Sequence, residues 1–204
     1  SAYVFMLEKL INNKWMGLII KPKKPVMLKK KLGKYWCLLE EAIKTKRCYV
    51  VLSSHPGHTK NFDETPSFVS MASDICIHDT MVSATAGLEA YLNNTPTIFN
   101  DNFGFKESIF FKDKKNLLAF DSYEIMWKLI NENWQKPIKG FGDWSSIIDQ
   151  IDPYRDGKAN IRINQFMKFF IDNFDVNEDR AISLEEAIKE YGKIWGIEHI
   201  FKNE

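Results

Sequence analysis

The sequence contains few cysteines, no excess of charge of either sign and no long apolar run. Its three cysteines form no Cys-x-x-Cys pair, and Cys48 and Cys76 lie in apolar runs, so buried reduced thiols are the simplest account. The 28 Lys and Arg residues balance 27 Asp and Glu residues, so no global field attracts nucleic acid. No run has membrane-spanning length, and no Gly-x-Gly-x-x-Gly fingerprint marks a dinucleotide site.

The apolar residues, 45% of the chain, fall into short runs that alternate with helical patterns. Short, wholly apolar runs are typical of strands that are buried on both faces. Strands are predicted at 17–20, 48–52, 74–78 and 96–99, with a fifth at 109–111. Helices are predicted at 3–15, 32–44, 66–72, 84–93 and 123–135. The alternation predicts an α/β fold: a Rossmann-like parallel sheet with helices on both faces and right-handed crossovers.

The pattern changes after Pro137. A short helical segment at 143–152 precedes two amphipathic helices, at 160–173 and 183–195. We therefore expect residues 1–136 to form the α/β domain and residues 137–204 to form a helical C-terminal extension that packs on it. Because a helical pattern follows Ser1 and Ala2 at once, we expect the chain to be a piece of a larger protein.

Ligands of open parallel sheets bind beyond the carboxyl ends of the strands. The most informative of these loops precedes the helix at 84–93, where small residues from Ser83 to Gly87 let a ligand approach the backbone. The free N–H groups of the helix suit a diphosphate, and the hydroxyls of Ser83 and Thr85 add donors. Glu89 lies where it can accept hydrogen bonds from ribose. The alternative is that Ser83 only caps the helix and Glu89 is a solvated helix residue.

The order of these segments resembles the donor site of GT-B glycosyltransferases. In that superfamily an Ala-Asp strand, a Ser/Gly/Thr loop, a helix with a Glu and a Gly/Asn-x-Pro strand follow one another, as do 71–74, 83–87, Glu89 and 94–98 here. The resemblance implies a nucleoside-diphosphate sugar donor, no cofactor or metal, and a separate N-terminal acceptor domain that supplies the catalytic base. The candidate binding residues are Lys21, Ser53, His55, His78, Ser83, Thr85, Ala86, Gly87 and Glu89.

The tail is similar to a family of bacterial surface-carbohydrate biosynthesis proteins, whose signature residues 152–158 match. The Asp-Gly-Lys-Ala phrase within it also resembles the end of non-hydrolysing UDP-N-acetylglucosamine 2-epimerases, which makes an epimerase half the alternative enzyme. These resemblances imply a cytoplasmic protein, peripheral to the inner face of the membrane. A lysine cluster either is a solvated helix face or attracts phosphates or an anionic membrane. It consists of Lys21, Lys23, Lys24, Lys29, Lys30, Lys31 and Lys34.

Residues 175–186 are close to an EF-hand loop, which offers a calcium-binding module as a different class of function. The candidate ligands are Asp175, Asn177, Asp179 and Glu186. Arg180, however, occupies the position at which that loop needs glycine for its sharp turn. The alternative is a helix–turn–helix in which Ser183 is the N-cap of the last helix and Glu186 completes a capping box.

Overall fold

The structure of the chain is a computed structural model that describes residues 1–51, 65–79, 85–101, 103–113 and 117–197. The chain divides into two compact units, Ser1–Ser146 and Ile147–Glu204. This division lies later than the boundary expected after residue 136. Trp144 explains why the intervening residues belong with the first unit: its buried indole N–H donates to the carbonyl of Thr97 at 2.8 Å, and its ring stacks on Tyr91.

The first unit contains short strands and helices in alternation. Its strands are β1 (Leu18–Ile20), β2 (Cys48–Val50), β3 (Cys76–His78), β4 (Thr97–Asn100) and β5 (Ala119–Phe120). Its helices are α1 (Ala2–Asn12), α2 (Leu28–Leu32), α3 (Trp36–Lys44), α4 (Pro66–Ser70), α5 (Thr85–Leu92), α6 (Ile109–Lys112) and α7 (Tyr123–Gln135). Short 3-10 turns at Pro25–Met27 and Gly33–Tyr35 flank α2.

All the described strands pair in parallel, which confirms the predicted α/β, Rossmann-like fold class. They form two pieces of sheet, one with the order β1-β2 and one with the order β3-β4-β5. In the larger piece His78 pairs with Phe99, and Asn100 pairs with Phe120. Strand β4 is buried throughout because it has a neighbour on each side.

Helices cover both faces of the strands. On one face Ile98 packs in a single core with Leu7 and Leu10 of α1 and Met126 of α7. Strand β1 contributes Ile20 to the same core. On the other face α5 lies against β4, where Gly87 meets the side chains of Thr97 and Phe99. Cys76 also lies in this region, and burial raises the pKa of its thiol to about 11, so the thiol stays protonated.

Two of the predicted elements are wrong. The segment 109–111, expected to be a strand, is the short helix α6, because the Ser108 hydroxyl caps it by accepting from the N–H of Phe110 at 3.1 Å. The fifth strand is instead Ala119–Phe120. The predicted helix 32–44 is interrupted at Gly33, whose φ of 52° breaks the chain between α2 and α3.

The second unit is built around a helical hairpin. It consists of α8 (Ile148–Ile151), α9 (Ala159–Asn177) and α10 (Arg180–Trp195). The helices α9 and α10 are joined by ring contact between Phe166 and Tyr191 and by a hydrogen bond from Trp195 Nε1 to Gln165 at 2.7 Å. Within the described part of the chain, no helix combines the length and the apolar character that crossing a bilayer requires.

The expected N-cap at Ser183 is wrong, because α10 begins three residues earlier than predicted. Asp179 is the N-cap, and its carboxylate accepts from the N–H groups of Ala181 and Ile182. The Ser183 hydroxyl donates to the carbonyl of Asp179 from within the helix. A carboxylate accepts hydrogen bonds from both free N–H groups of the first turn. An Asp therefore competes well with a Ser for the N-cap position.

Candidate functional site

The amino ends of three helices, α1, α5 and α7, lie at the carboxyl ends of β3, β4 and β5. Near its start α5 contacts Phe99 in the carboxyl half of β4, and further along Ala90 accepts from the N–H of Thr95 before β4 begins. Helix α7 starts three residues after the end of β5, and its first residue, Tyr123, stacks on Phe5 of α1 at 5.1 Å. The partial positive charges of these helix ends therefore meet at one edge.

Asn100 is the least expected residue at this edge. It ends β4 and is 1% exposed. Among the described residues, neither its Oδ1 nor its Nδ2 has a hydrogen-bond partner. Because side chains alternate along a strand, Asn100 points to the same face as Ile98, the face that α1 and α7 cover. Leaving a buried amide unpaired costs about 1–3 kcal/mol, and such groups are rare in folded proteins.

Asp101 follows Asn100 and is also buried, but its hydrogen bonds are made within the protein. Its two carboxylate oxygens accept from the N–H groups of Phe103 and Phe105, each at 3.2 Å. Its own N–H donates to the carbonyl of Phe120 at 2.8 Å. Asp101 therefore shapes the loop after β4, whereas Asn100 remains a buried polar side chain at the end of the strand.

His78 ends β3 and Asp79 follows it, and both lie beside the end of β4 because His78 pairs with Phe99. The His78 ring is half-buried and lies 5.8 Å from the Phe99 ring, centroid to centroid. Asp79 is exposed. Burial, and then the negative charge of Asp79, raise the pKa of the Tyr3 hydroxyl. The first turn of α1 lies near the start of α7, because Phe5 stacks on Tyr123.

Gly87 has a packing role in addition to the ligand contact that the sequence predicted for it. A Cβ atom on Gly87 would lie 3.1 Å from Cζ of Phe99 and 3.4 Å from Cγ2 of Thr97. Gly87 therefore faces the sheet, and its missing side chain allows close packing between α5 and β4. Contact of Gly87 with a ligand stays a prediction. Of its neighbours in the predicted loop, Thr85 is exposed at the start of α5 and Ala86 is half-buried.

The carboxylate of Glu89 makes a hydrogen bond within the protein, so Glu89 is not a solvated helix residue. Its Oε2 accepts from the backbone N–H of Ser67 at 3.3 Å, in the first turn of α4. Thr65 caps the same turn by accepting from Phe68. A carboxylate at a helix amino end is stabilised by the unpaired N–H groups there, so this contact accounts for Glu89 structurally. Hydrogen bonding of Glu89 to ribose stays a prediction.

The basic cluster belongs to the same region of the first unit. Lys21 is half-buried at the carboxyl end of β1, and the lysines of α2 are exposed. Lys31 Nζ lies 5.9 Å from the centre of the Tyr3 ring, which places α2 next to the amino end of α1. The remaining candidates, Ser53, His55 and Ser83, lie outside the described residues.

The structure does not form the EF-hand loop on which the calcium alternative depends. Asp175 and Asn177 belong to the last turn of α9, and α10 begins at Arg180, so the helices leave no twelve-residue loop. Asp179 is occupied in capping α10, and Glu186 accepts from Lys189 at 2.7 Å. No group of three or more His, Cys, Asp or Glu side chains among the described residues could hold a metal ion. Residues 175–186, whose spacing of acidic side chains suggested a calcium loop, form the end of α9, a short turn and the capped start of α10.

Comparison with known proteins adds no family to this description. No family model, no curated protein and no solved structure matches the chain.

The sequence analysis named neither Asn100 nor Tyr3 as a candidate binding residue. Asn100 lies at the predicted end of a strand, so its position was readable, but an Asn after a strand is usually solvated. Tyr3 looked like one more apolar residue of the first helix. Only the pairing of β4 with both neighbours, and the placement of α1, bring these two residues to the edge where Asp79 lies.

Proposed function

We propose that the carboxyl edge of β3, β4 and β5 binds a nucleoside-diphosphate sugar. On this proposal the chain is the donor-binding half of a glycosyltransferase that assembles bacterial surface polysaccharide, at the cytoplasmic face of the membrane. The observation that carries the proposal is Asn100, a buried amide at the end of the central strand with both polar atoms unbonded. On this proposal a bound ligand supplies the hydrogen-bond partners that the described residues do not.

The electrostatics of the edge favour an anionic ligand. The amino ends of α1, α5 and α7 each offer backbone N–H groups and a partial positive charge. Lys21 and the exposed lysines of α2 add full positive charges nearby. A diphosphate is the ligand group that such an arrangement holds well, and in sugar transfer the same charges stabilise the departing diphosphate.

The amide of Asn100 favours a ligand that also carries neutral polar groups. Its Oδ1 accepts and its Nδ2 donates, so it can bind a hydroxyl or an amide of a ligand in two directions. Sugars and nucleotide bases present such groups, whereas an inorganic phosphate only accepts when it is fully ionised. This pairing of an amide with positive helix ends supports a nucleotide sugar over a simple anion.

The test is a thermal-shift screen against UDP, GDP, CDP, CMP and their sugars, followed by titration calorimetry. A ligand that binds only the folded state raises the melting temperature. We expect Asn100→Leu to lower the affinity for the best ligand by about tenfold or more, because a charged or polar ligand loses its partner. The same substitution should stabilise the unliganded protein by about 1–2 kcal/mol, because it removes an unpaired buried amide.

Asn12→Leu is the matched control, since Asn12 is exposed and its Nδ2 donates only to the carbonyl of Glu8 within α1. This variant should bind as the parent does. If Asn100→Leu unfolds the protein, Asn100→Ala offers a smaller change at the same position. The proposal fails if no nucleotide at millimolar concentration shifts the melting temperature. It also fails if a folded Asn100 variant binds with the parent's affinity.

A further inference from the structure

The second unit buries few apolar side chains of its own. Among its described residues, only Ile147, Ile148 and Ala187 are both apolar and buried. The first two lie at the start of α8 and the third lies in α10, so α9 contributes no buried apolar residue. Small units with so little core are commonly stabilised by oligomerisation. The hairpin of α9 and α10 therefore has the composition of a unit that packs against further helices.

Helix α9 carries two adjacent rows of side chains, each with the spacing of four, three and four residues that is typical of helix packing. The first row is buried or half-buried and consists of Arg162, Phe166, Phe169 and Asn173. This row faces α10, because Phe166 contacts Tyr191 and Arg162 lies over Trp195. The second row lies one residue further along the chain at each position and consists of Ile163, Met167, Phe170 and Phe174. We call it the apolar row of α9.

The apolar row of α9 is exposed along its length. Ile163 is 63% exposed, Met167 is 48% exposed and Phe174 is 42% exposed. Phe170 stacks on Phe174 with 6.2 Å between ring centroids, so the row is continuous toward the end of the helix. Single exposed apolar side chains are ordinary on protein surfaces. A continuous apolar row with heptad spacing is instead typical of the seam along which two helices associate.

We propose that two copies of the chain associate through the apolar row of α9, with their α9 helices antiparallel. The spacing of four, three and four residues is the same when it is read from either end of the helix. A two-fold axis between Met167 and Phe170 therefore superimposes the row on itself. Ile163 of one copy then packs against Phe174 of the other, and Met167 packs against Phe170. The same surface serves both copies, as in most symmetric dimers.

The charges at the two ends of α9 favour an antiparallel second copy over other occupants. Residues 155–162 contain three basic residues and one acidic residue, whereas residues 172–179 contain four acidic residues and no basic one. An antiparallel pair brings the basic end of each helix to the acidic end of the other and also aligns the helix dipoles favourably. A parallel pair would bring like charges together. An anionic membrane would be repelled by the acidic end.

The length of the row sets the expected affinity. Helix α9 has 19 residues and is therefore about 28 Å long. A single seam of this length buries less than the roughly 800 Å² per partner that is typical of a stable complex. We therefore expect a reversible dimer with a dissociation constant in the micromolar range.

The first test is sedimentation equilibrium of the whole chain from micromolar to submillimolar concentration, where we expect the mass to rise from that of a monomer to that of a dimer. Met167→Lys should raise the dissociation constant by about thirtyfold or more, because it places an unpaired charge at the centre of the row. Val176→Lys is the matched control. Val176 is 81% exposed, and it lies two and a half turns beyond Met167 and hence on the opposite side of α9. This variant should associate as the parent does.

The second test is disulfide cross-linking, which reports the direction of the pair. Both variants carry Cys37→Ser, because Cys37 is an exposed free thiol. Protein with Ile163→Cys is mixed with protein that has Phe174→Cys, at a concentration where the parent is dimeric, and the mixture is oxidised. We expect a disulfide between the two different variants, and little cross-linking of either variant alone. Efficient cross-linking of the Ile163→Cys protein alone would indicate a parallel pair and would overturn the proposal.

Other outcomes assign the apolar row to a different occupant. The proposal is overturned if the parent stays monomeric at submillimolar concentration, or if the Met167 and Val176 variants associate equally. A monomeric parent that Met167→Lys destabilises in urea would assign the row to a contact within one chain. Circular dichroism checks that each variant is folded, and Ile163→Lys, at a more exposed position, replaces Met167→Lys if that variant unfolds. The inference does not depend on the proposed ligand, because Asn100 belongs to the first unit and the row to the second.

Discussion

Gly87 lies where the first turn of α5 meets β4, and the absence of a side chain serves that contact. Glycine in a helix interior costs about 0.5–1 kcal/mol relative to alanine. Here the cost is offset by the close approach to Phe99, whose Cζ would lie 3.1 Å from an added Cβ. From the sequence, a glycine in a loop before a helix suggested a place where a ligand approaches the backbone. Which side of Gly87 faces the sheet follows from how α5 packs on β4.

Gly87→Val should destabilise the first unit by about 1–3 kcal/mol, because a branched side chain would press on Phe99 and Thr97. Urea unfolding of the two proteins measures the difference. Ala86→Val is the matched control in the same turn, since Ala86 is half-buried, and it should cost less. If Gly87→Val is as stable as the parent, α5 does not pack closely on β4 at this position.

The hairpin of α9 and α10 is fastened by an ion pair at its open end. The two terminal nitrogens of the Arg162 guanidinium, Nη1 and Nη2, donate to the Asp156 carboxylate, each at 2.9 Å. The Arg162 guanidinium also lies 3.8 Å from the centre of the Tyr154 ring and 5.1 Å from that of Trp195 in α10. This explains residues 152–158 as a turn that positions Asp156 before α9, whatever further role they have.

The ion pair makes the stability of this unit depend on pH. Hydrogen bonding from Arg162, and then from the N–H of Lys158, lowers the pKa of Asp156 from 3.8 to about 2. A carboxyl with a depressed pKa stabilises the fold above its unfolded pKa. That stabilisation is therefore full above about pH 4 and is lost as the pH falls toward about 2.

Asp156→Asn should lower the melting temperature of this unit at pH 6, and by less at pH 2.5, because the parent loses the same interaction in acid. The indole N–H signal of Trp195 in nuclear magnetic resonance reports on this unit, since Trp195 lies beside Arg162. Asp172→Asn serves as control, because Asp172 shows no such pairing among the described residues and should change little. An equal effect of Asp156→Asn at both pH values would contradict the assignment.

The whole chain carries a net charge of only +1, yet its positive charge is unevenly placed. The basic surface of Lys23, Lys24, Lys29, Lys30, Lys31 and Lys34 is exposed, and Val26 within it is 74% exposed. Lysines interleaved with an exposed apolar side chain are typical of segments that lie on anionic membranes. This surface adjoins the amino end of α1 and hence the proposed ligand site.

We expect the chain to bind vesicles that contain phosphatidylserine and to release them in high salt, because the attraction is screened. Lys29→Glu with Lys30→Glu should weaken binding on the order of thirtyfold, at about 1 kcal/mol for each lysine lost. The control pair is Lys136→Glu with Lys139→Glu, two exposed lysines beyond α7. Equal losses for the two pairs in a co-sedimentation assay would indicate a nonspecific charge effect and would exclude a membrane-binding surface at α2.

The sequence alone was enough to predict the alternation of strand and helix, because that pattern depends on apolar spacing within one segment. Thr65 as the N-cap of α4 was equally readable, since a cap bonds only to its own helix. The binding sites expected at the carboxyl ends of the strands also came from chain order, and they stay predictions. Local physics of this kind acts over a few residues and does not require the rest of the molecule.

The tertiary structure decided which way each residue faces and which strands meet. In the described part of the chain Gly87 packs on the sheet, Asn100 is buried without a hydrogen-bond partner, and the strands form two separate pieces of sheet. None of these has a local signature, because burial and pairing depend on neighbours that are distant along the chain. An apolar strand has the same sequence pattern at an interior position as at an open edge; only the presence of its neighbours distinguishes the two.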